Sequence, residues 1–214
     1  LSKITIYIDQ DSIMHPAISF KYHIAKNELS ILRIAKGITK TPFYDSYHKV
    51  NMYFEQMLWN TTQDTLKMRM VIGNVSEGAL FESVNFFRVE NYDALKGMDL
   101  ISQLNSIKDY IKAKGGVRDF TGAEFGRFMK TDPKYLLPGL VHLAGFGFLT
   151  YDGDTDMIHA NEKVTEYIGA YTKKNDYDVI LFSSFTNGDL NAVFNMKNNE
   201  MTIFGVKQVY LSDS

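Results

Sequence analysis

Cysteine is absent from this chain, which removes thiol nucleophiles, zinc–thiolate sites, iron–sulfur clusters and disulfide staples from consideration. Proline is scarce, at 4 residues in 214, and tryptophan occurs once. No apolar run approaches the length that a helix needs to cross a bilayer. Charge of neither sign dominates, since 23 Lys and Arg face 25 Asp and Glu for a net −2. A basic block that would hold nucleic acid is missing, and so is an acidic tail. The lack of cysteine also fits a place outside the cytoplasm, where stray thiols oxidise. What is present is ordinary for a folded protein: 45% hydrophobic residues, 14% aromatic, and enough chain for one large or two modest domains.

Taken in order, the chain opens with strand patterning. Ile4–Ile8 alternates, Ile18–Ile34 reads as a hairpin turning at Lys26-Asn27, and Val50–Trp59 and Leu66–Ile72 read as strands. Gly37–Lys49 is expected to be a loop, Ala79–Phe87 fits either helix or strand, and Tyr92–Lys96 suggests a helical turn. From Asp99 the apolar period becomes helical, through Leu100, Leu104, Ile107 and Ile111. Thr121 and Glu124 form a capping box, and Asp132-Pro133 offers an N-cap followed by proline at the first helical position. Phe148 to Ala160 reads as a hairpin around Asp152-Gly153-Asp154-Thr155, and Asn161 starts a last helix. Strand patterning then resumes, with Asp178–Phe182, a hairpin over Ala192–Ile203 and a strand over Val206–Leu211.

These readings give an α+β class. Residues 1–96 form a β-rich domain, 97–172 a winged-helix-like module, and 173–214 a hairpin and strand continuing the β framework. An internal echo suggests what that framework is. Ile24–Ile31 aligns without gaps with Met196–Ile203, keeping the turn asparagine and the glutamate after it. The flanks are therefore expected to form one sheet or a short β-solenoid-like array.

Four stretches, Tyr44–Lys49, Leu80–Ser83, Leu143–Gly147 and Leu211–Ser214, resemble segments of long, uncharacterised proteins of the Bacteroidetes cell envelope. The resemblance spans essentially the whole chain and implies a larger parent protein of the envelope, without an activity. The chain also begins at Leu1 directly in a strand pattern, as expected of a segment cut from such a parent. Separately, the element order over residues 97–172 resembles a winged-helix domain.

Candidate chemistry is thin. A DNA-reading winged helix needs cations around its third helix, but Pro133–Gly145 carries only Lys134, and the wing tip carries Asp152, Asp154 and Asp156. Those three aspartates take the first, third and fifth places of a calcium loop, yet Met157 stands where glycine is needed and Lys163 where glutamate is needed. The five histidines form no metal-ligand spacing. Ser183-Ser184 has no local base and no Gly-x-Ser-x-Gly elbow. Gly145-Phe146-Gly147 lacks a third glycine and leads into a strand where a nucleotide fingerprint needs a helix. Asp9 and Asp11 share a strand face, the minimum for a glycosidase pair.

The richest cluster is Tyr44, Asp45, Tyr47 and His48 with Trp59, an aromatic and polar set suited to a partner or glycan surface. No catalytic, cofactor or metal residue is assigned. The sequence thus points to a non-enzymatic structural or protein-interaction segment of a larger envelope protein. Its partners would be other segments of the parent or another envelope protein. A winged-helix regulator-like module and a glycan-binding β domain stand as alternatives, with nucleic acid disfavoured and no membrane span.

Overall fold

A computed structural model describes residues 2–33, 41–71, 78–174 and 180–210. Two compact units divide the chain: Leu1–Ala35, Pro42–Ser83 and Ile180–Ser214 form the first, Lys36–Thr41 and Val84–Val179 the second.

The first unit begins with β1 (Ser2–Ile8) and β2 (Asp11–His23), joined by a tight turn at Asp9, whose φ is 53°. Isoleucines 4, 6 and 8 point inward with Ile13 and His15 of β2 opposite. Pairing slips by one residue between Ile4↔His15 and Ser2↔Ile18. Pro16 sits in that bulge, where its missing N–H costs no ladder bond. The extra residue reverses sidedness, so Ile18, Phe20 and Tyr22 continue the inward face that Ile13 and His15 began.

After a short 3-10 turn at Ile24–Lys26 come β3 (Glu28–Arg33), β4 (Phe43–Asp45), β5 (Val50–Tyr53), β6 (Gln56–Asn60), β7 (Thr65–Arg69) and β8 (Ala79–Ser83). The chain then leaves for the second unit and returns as β12 (Leu181–Ser184), β13 (Ala192–Asn195), β14 (Glu200–Ile203) and β15 (Val206–Tyr210). All neighbours pair antiparallel in the order β14-β13-β7-β6-β3-β2-β4-β5-β8-β12-β15, with β1 attached to β2.

The register shows how this sheet curls. Ile13 pairs with Ile6 of β1 and Asp45 of β4, so those strands flank opposite sides of β2. Ile18 pairs with Ser2 of β1 and Arg33 of β3, so β3 lies on the same side as β4. Hence β2 runs through two arms of the sheet, bending at its bulge. The same happens where β5 passes through Phe54-Glu55 into β6, and where β14 passes through Phe204-Gly205 into β15. Strands that bend from one arm into another turn a flat sheet into a barrel-like one.

Inside lie Ile13, Ile18, Ile31, Phe43, Met52, Phe54, Met57, Leu66, Met68, Phe81 and Phe194, each at most 2% exposed. Burying each such side chain contributes about 1.5–3 kcal/mol. Phe43 and Phe54 stack at 4.4 Å, and His15 tilts onto Phe43 at 4.5 Å.

The seam is closed by Asn191, which is 1% exposed. Its Oδ1 accepts from the Met70 amide at 2.8 Å, and its Nδ2 donates to the Ser184 carbonyl at 3.2 Å and to Ser184 Oγ at 2.9 Å. Its own amide donates to the Met68 carbonyl, and its carbonyl accepts from the Phe204 amide, both at 2.8 Å. Ser184 Oγ donates onward to the Phe204 carbonyl at 2.6 Å. Next to this knot Gly205 has φ of 58°, and a Cβ there would run into the Phe185 carbonyl oxygen, so only glycine fits the bend.

The second unit holds α1 (Val89–Gly97), α2 (Leu100–Ala113), β9 (Asp119–Thr121), α3 (Gly122–Met129), α4 (Pro133–Gly145), β10 (Leu149–Asp152), β11 (Met157–Ala160) and α5 (Lys163–Tyr171). The small sheet runs β10-β11-β9. Leu104, Ile107, Phe125, Leu143, Phe148, Leu149, Ile158 and Val164 fill its core. Tyr92 of α1 stacks on Tyr171 of α5 at 3.8 Å. The capping box is formed: the Glu124 amide donates to Thr121 Oγ1 at 3.1 Å, and the Thr121 amide to Glu124 Oε2 at 2.8 Å. Asp132 caps α4 ahead of Pro133, and the helix continues through Pro138.

The α+β expectation is overturned. Strand exceeds helix, 39% against 30%, and the dominant element is a nearly closed, antiparallel, barrel-like sheet. The five helices do not make a central winged-helix module but share one core with the three-stranded sheet. The flanks are not solenoid rungs either, since β13 pairs β7 and β12 pairs β8, interleaving the two ends of the chain. Local periodicity reports elements and cannot see such distant pairing. Val50–Trp59 is likewise two strands rather than one, and only Ala79–Ser83 of the ambiguous stretch is strand. Asp178-Val179, Leu211, part of the Gly37–Lys49 loop and the ends of other expected elements lie outside the described residues.

Replacing Asn191 with leucine leaves the Met70 amide buried without its partner and takes one hydrogen bond each from the Ser184 carbonyl and hydroxyl, and a stranded buried group costs about 1–3 kcal/mol. Denaturant titration should therefore show a loss of at least about 2 kcal/mol; a loss under half of that would show that the seam closes without it. In the second unit, hydrogen bonds from the Thr121 amide and hydroxyl hold Glu124 below the usual carboxylate range. A depressed folded value means stability that is present above the unfolded value and disappears as pH falls through the folded one. Thr121→Ala should cost about 1 kcal/mol at neutral pH. The gap to the parent protein should narrow on acidification, as followed by thermal melts at stepped pH.

Candidate functional site

The Tyr44–His48 segment is the turn between β4 and β5. Asp45 is buried and pairs with Val50 across the hairpin. Its Oδ1 accepts from the Tyr47 amide at 3.0 Å and, at the limit, from His48 at 3.5 Å. Its Oδ2 meets His48 Nδ1 at 2.6 Å. The imidazole is held edge-on to Phe194 of β13 at 5.8 Å and to Tyr47 at 4.9 Å. Ser46 Oγ donates to Asp11 Oδ1 at 2.8 Å and accepts from the Ser12 amide at 2.9 Å. The carboxylate, imidazole and hydroxyl are thus spent on fixing the turn, and His48 leans on the opposite arm's core. Of this group Tyr47 alone is exposed, at 50%.

The same turn recurs. Asn195 Oδ1 accepts from the Lys197 amide and Asp152 Oδ1 from the Asp154 amide, each at 3.0 Å, as Asp45 does from Tyr47. Each of these turns ends on a left-handed residue: Lys49, Asn199 and Asp156, with φ of 53–56°. Asn27, with φ of 50°, ends the β2–β3 turn in the same way. The echo between Ile24–Ile31 and Met196–Ile203 is this turn, seen in sequence.

Trp59 lies elsewhere. Register places Tyr22, Leu29, Trp59, Leu66 and Phe194 in one row across β2, β3, β6, β7 and β13. That row runs from solvent at Tyr22 to the core at Leu66 and Phe194. Tyr44 faces the other side of its arm, opposite Met14 and Asn51. The sequence cluster is therefore divided: Tyr44, Asp45, Tyr47 and His48 stay together on the β4–β5 hairpin, and Trp59 belongs to the β2–β3 end of the other arm.

That end exposes large apolar side chains to solvent. Phe20, Tyr22 and Ile24 are 59%, 44% and 81% exposed. The polar tips behind them are anchored. Tyr22 Oη donates to Asn27 Oδ1 at 3.3 Å, and Trp59 Nε1 donates to the Gln63 carbonyl at 3.1 Å. With their polar ends tied, the two rings add apolar area to one surface. Alternation over the Ile18–Ile34 hairpin does not single out Phe20 and Tyr22, because it assigns such residues to the core.

A second polar group lies on the outer face of β5 and β8. Asn51 and Glu82 are paired in register and buried, with Tyr53 on the same face. Burial, reinforced by Glu82 and opposed by Arg33, pushes the Tyr53 phenol well above its usual value. Among the described residues, Asn51 Nδ2 has no hydrogen-bond partner.

The remaining candidates are engaged structurally. In the β10–β11 turn, a hydrogen bond from the Thr155 hydroxyl and another from the Asp154 amide lower the Asp152 pKa. Asp156 accepts from the Ala123 amide at 3.0 Å and from Tyr151 Oη at 3.1 Å. Ser184 belongs to the Asn191 knot, and His159 meets Asp119 at 2.8 Å. No cluster of three metal-ligating side chains occurs among the described residues.

Comparison with protein-family models, with curated proteins and with solved structures gives no match. The surface itself must carry the functional reading.

Asp45→Ala should cost about 1–3 kcal/mol, because it strands the amides of a buried turn and frees His48 from the core. Tyr47→Ala, at a half-exposed site, should cost less than about 1 kcal/mol. Equal losses in chemical denaturation would show that the buried carboxylate is not what holds the turn.

Proposed function

We propose that the chain is a non-enzymatic protein-interaction segment whose contact surface is the outer end of the β2–β3 hairpin. The observation behind this reading is the exposure of Phe20, Tyr22 and Ile24 together. Large apolar side chains gathered at one place are costly in water, and a partner that covers them gains about 25 cal/mol for each Å² removed. Aromatic residues with satisfied polar tips are suited to this role, as they lose little conformational freedom on contact.

Location at the cell envelope belongs to the same proposal, supported by the lack of cysteine and by the resemblance to long envelope proteins. The glycan reading has weaker support, because Tyr44 and Trp59 do not share a face.

A photo-crosslinking phenylalanine at position 22, in cells that produce the protein, should give discrete protein adducts. The same group at Tyr135, which is 72% exposed in the second unit, should not. Serine at both Phe20 and Ile24 should abolish the adducts. Equal labelling from the two positions would overturn the assignment of this surface.

A further inference from the structure

The outer face of the large sheet carries an arginine held in a fixed orientation. Leu66 and Met68 of β7 are buried, so alternation turns Lys67 and Arg69 outward. Arg69 lies opposite Gln56 of β6, and its Nε donates to Gln56 Oε1 at 2.7 Å. Gln56 Nε2 in turn donates to Ser30 Oγ of β3 at 2.8 Å. This relay admits one orientation of the amide, because a flipped Gln56 would set its NH2 group against a guanidinium that has no acceptor. Arg69 is thereby pinned at Nε while both Nη groups remain to donate, and among the described residues they meet no acceptor. Glu55, whose amide donates to the Arg69 carbonyl at 3.2 Å, gives its carboxylate to the Val71 amide at 2.8 Å. Lys67 stands two residues along the same face and joins no ion pair among the described residues.

We propose that this face binds a carboxylate side chain of a partner protein. The Arg69 fork holds the carboxylate, Lys67 adds charge, and apolar residues beside the partner's carboxylate lie on Leu58 and Val193. The site is separate from the β2–β3 contact surface, since Phe20 and Tyr22 belong to the inner rows with Ile31 and Leu29.

Three observations select that occupant. An arginine with a fixed plane presents paired donors that match a carboxylate, where a lysine alone offers a point charge. Register places Leu58 and Val193 on either side of Lys67, both half-buried, so aliphatic surface flanks the cations. No aromatic residue occupies the outward positions of β3, β6, β7 and β13, so the stacking platform that a sugar ring or a base would use is missing there. A second copy fits poorly. Two-fold packing centred on this face would bring Lys67 and Arg69 against their own copies, and like charges set together at an interface are costly.

The test follows amide and Arg69 Nε–H signals of the full chain by NMR against three short peptides. They differ at one position, with glutamate, glutamine or phosphoserine set between valines. The glutamate peptide should shift Arg69 Nε–H and the amides of Leu58, Lys67 and Val193, and the glutamine peptide should not. Arg69→Lys keeps the charge and loses the fork, and should weaken the glutamate peptide roughly tenfold. Gln56→Leu releases the guanidinium and should weaken it roughly threefold. Should Arg69→Lys lose its fold, Lys67→Glu, at an exposed position, carries the same test and should weaken the peptide at least about threefold. Equal binding of the glutamate and glutamine peptides, or equal binding by parent and variants, would overturn the site. Silence toward the glutamate peptide overturns it too, and a response instead to the phosphoserine peptide or to oligogalacturonate would reassign the face to a phosphate or an acidic glycan. A dimer of the protein alone that Lys67→Glu dissolves would give the face to a second copy and end the partner assignment.

Discussion

Asn191 holds the place on which the first unit depends. A sheet in which strands bend from one arm to another must close where its first and last strands meet, and there the regular ladder runs out. The Asn191 side chain and backbone together bond β7, β12 and the β14–β15 bend, from a position that water does not reach. Buried amide groups left unpaired would cost more than the net gain from pairing them, so the knot acts as a condition for closure more than as an additional source of stability. Gly205 is its companion, because the bend that brings Phe204 to Asn191 passes too near the Phe185 carbonyl for any side chain.

The second unit follows a different logic. Its chain leaves the sheet after β8 and returns as β12, and these two strands are direct neighbours, with Leu181 opposite Glu82. Both ends of the helical stretch are therefore fixed together by ladder bonds. Its own stability comes from short-range devices: the Thr121–Glu124 box, Asp132 ahead of Pro133, Asp156 accepting from the start of α3, and stacked tyrosines 92 and 171. Acidic residues at the β10–β11 turn, which suggest a cation or repel nucleic acid on paper, spend their oxygens on this framing.

A recurring economy is the hairpin turn with an Asp or Asn at its start and a left-handed residue at its end. It appears between β4 and β5, between β10 and β11, and between β13 and β14, and the β2–β3 turn shares its ending. Its polar residues look like site candidates because they cluster, yet clustering is what the turn requires. The aromatic residues that reach solvent are elsewhere, at Phe20 and Tyr22, on a strand face that continues inward to Ile18.

Much of the local structure was legible in the sequence. Period fixed the helices after Asp99, the capping residues marked their starts, and Asn27 and Asn199 announced equivalent turns, since each signal acts over a few neighbouring residues. Trp59 was drawn toward Tyr44 by proximity in sequence, although the bend at Phe54-Glu55 carries it into another arm. Which strands pair, that the sheet nearly closes, and that Phe20 and Tyr22 remain outside while Ile31 and Phe194 are buried were decided only by the tertiary structure. Those outcomes depend on contacts between residues far apart in the chain, and no local pattern of side chains encodes which distant strand will lie alongside.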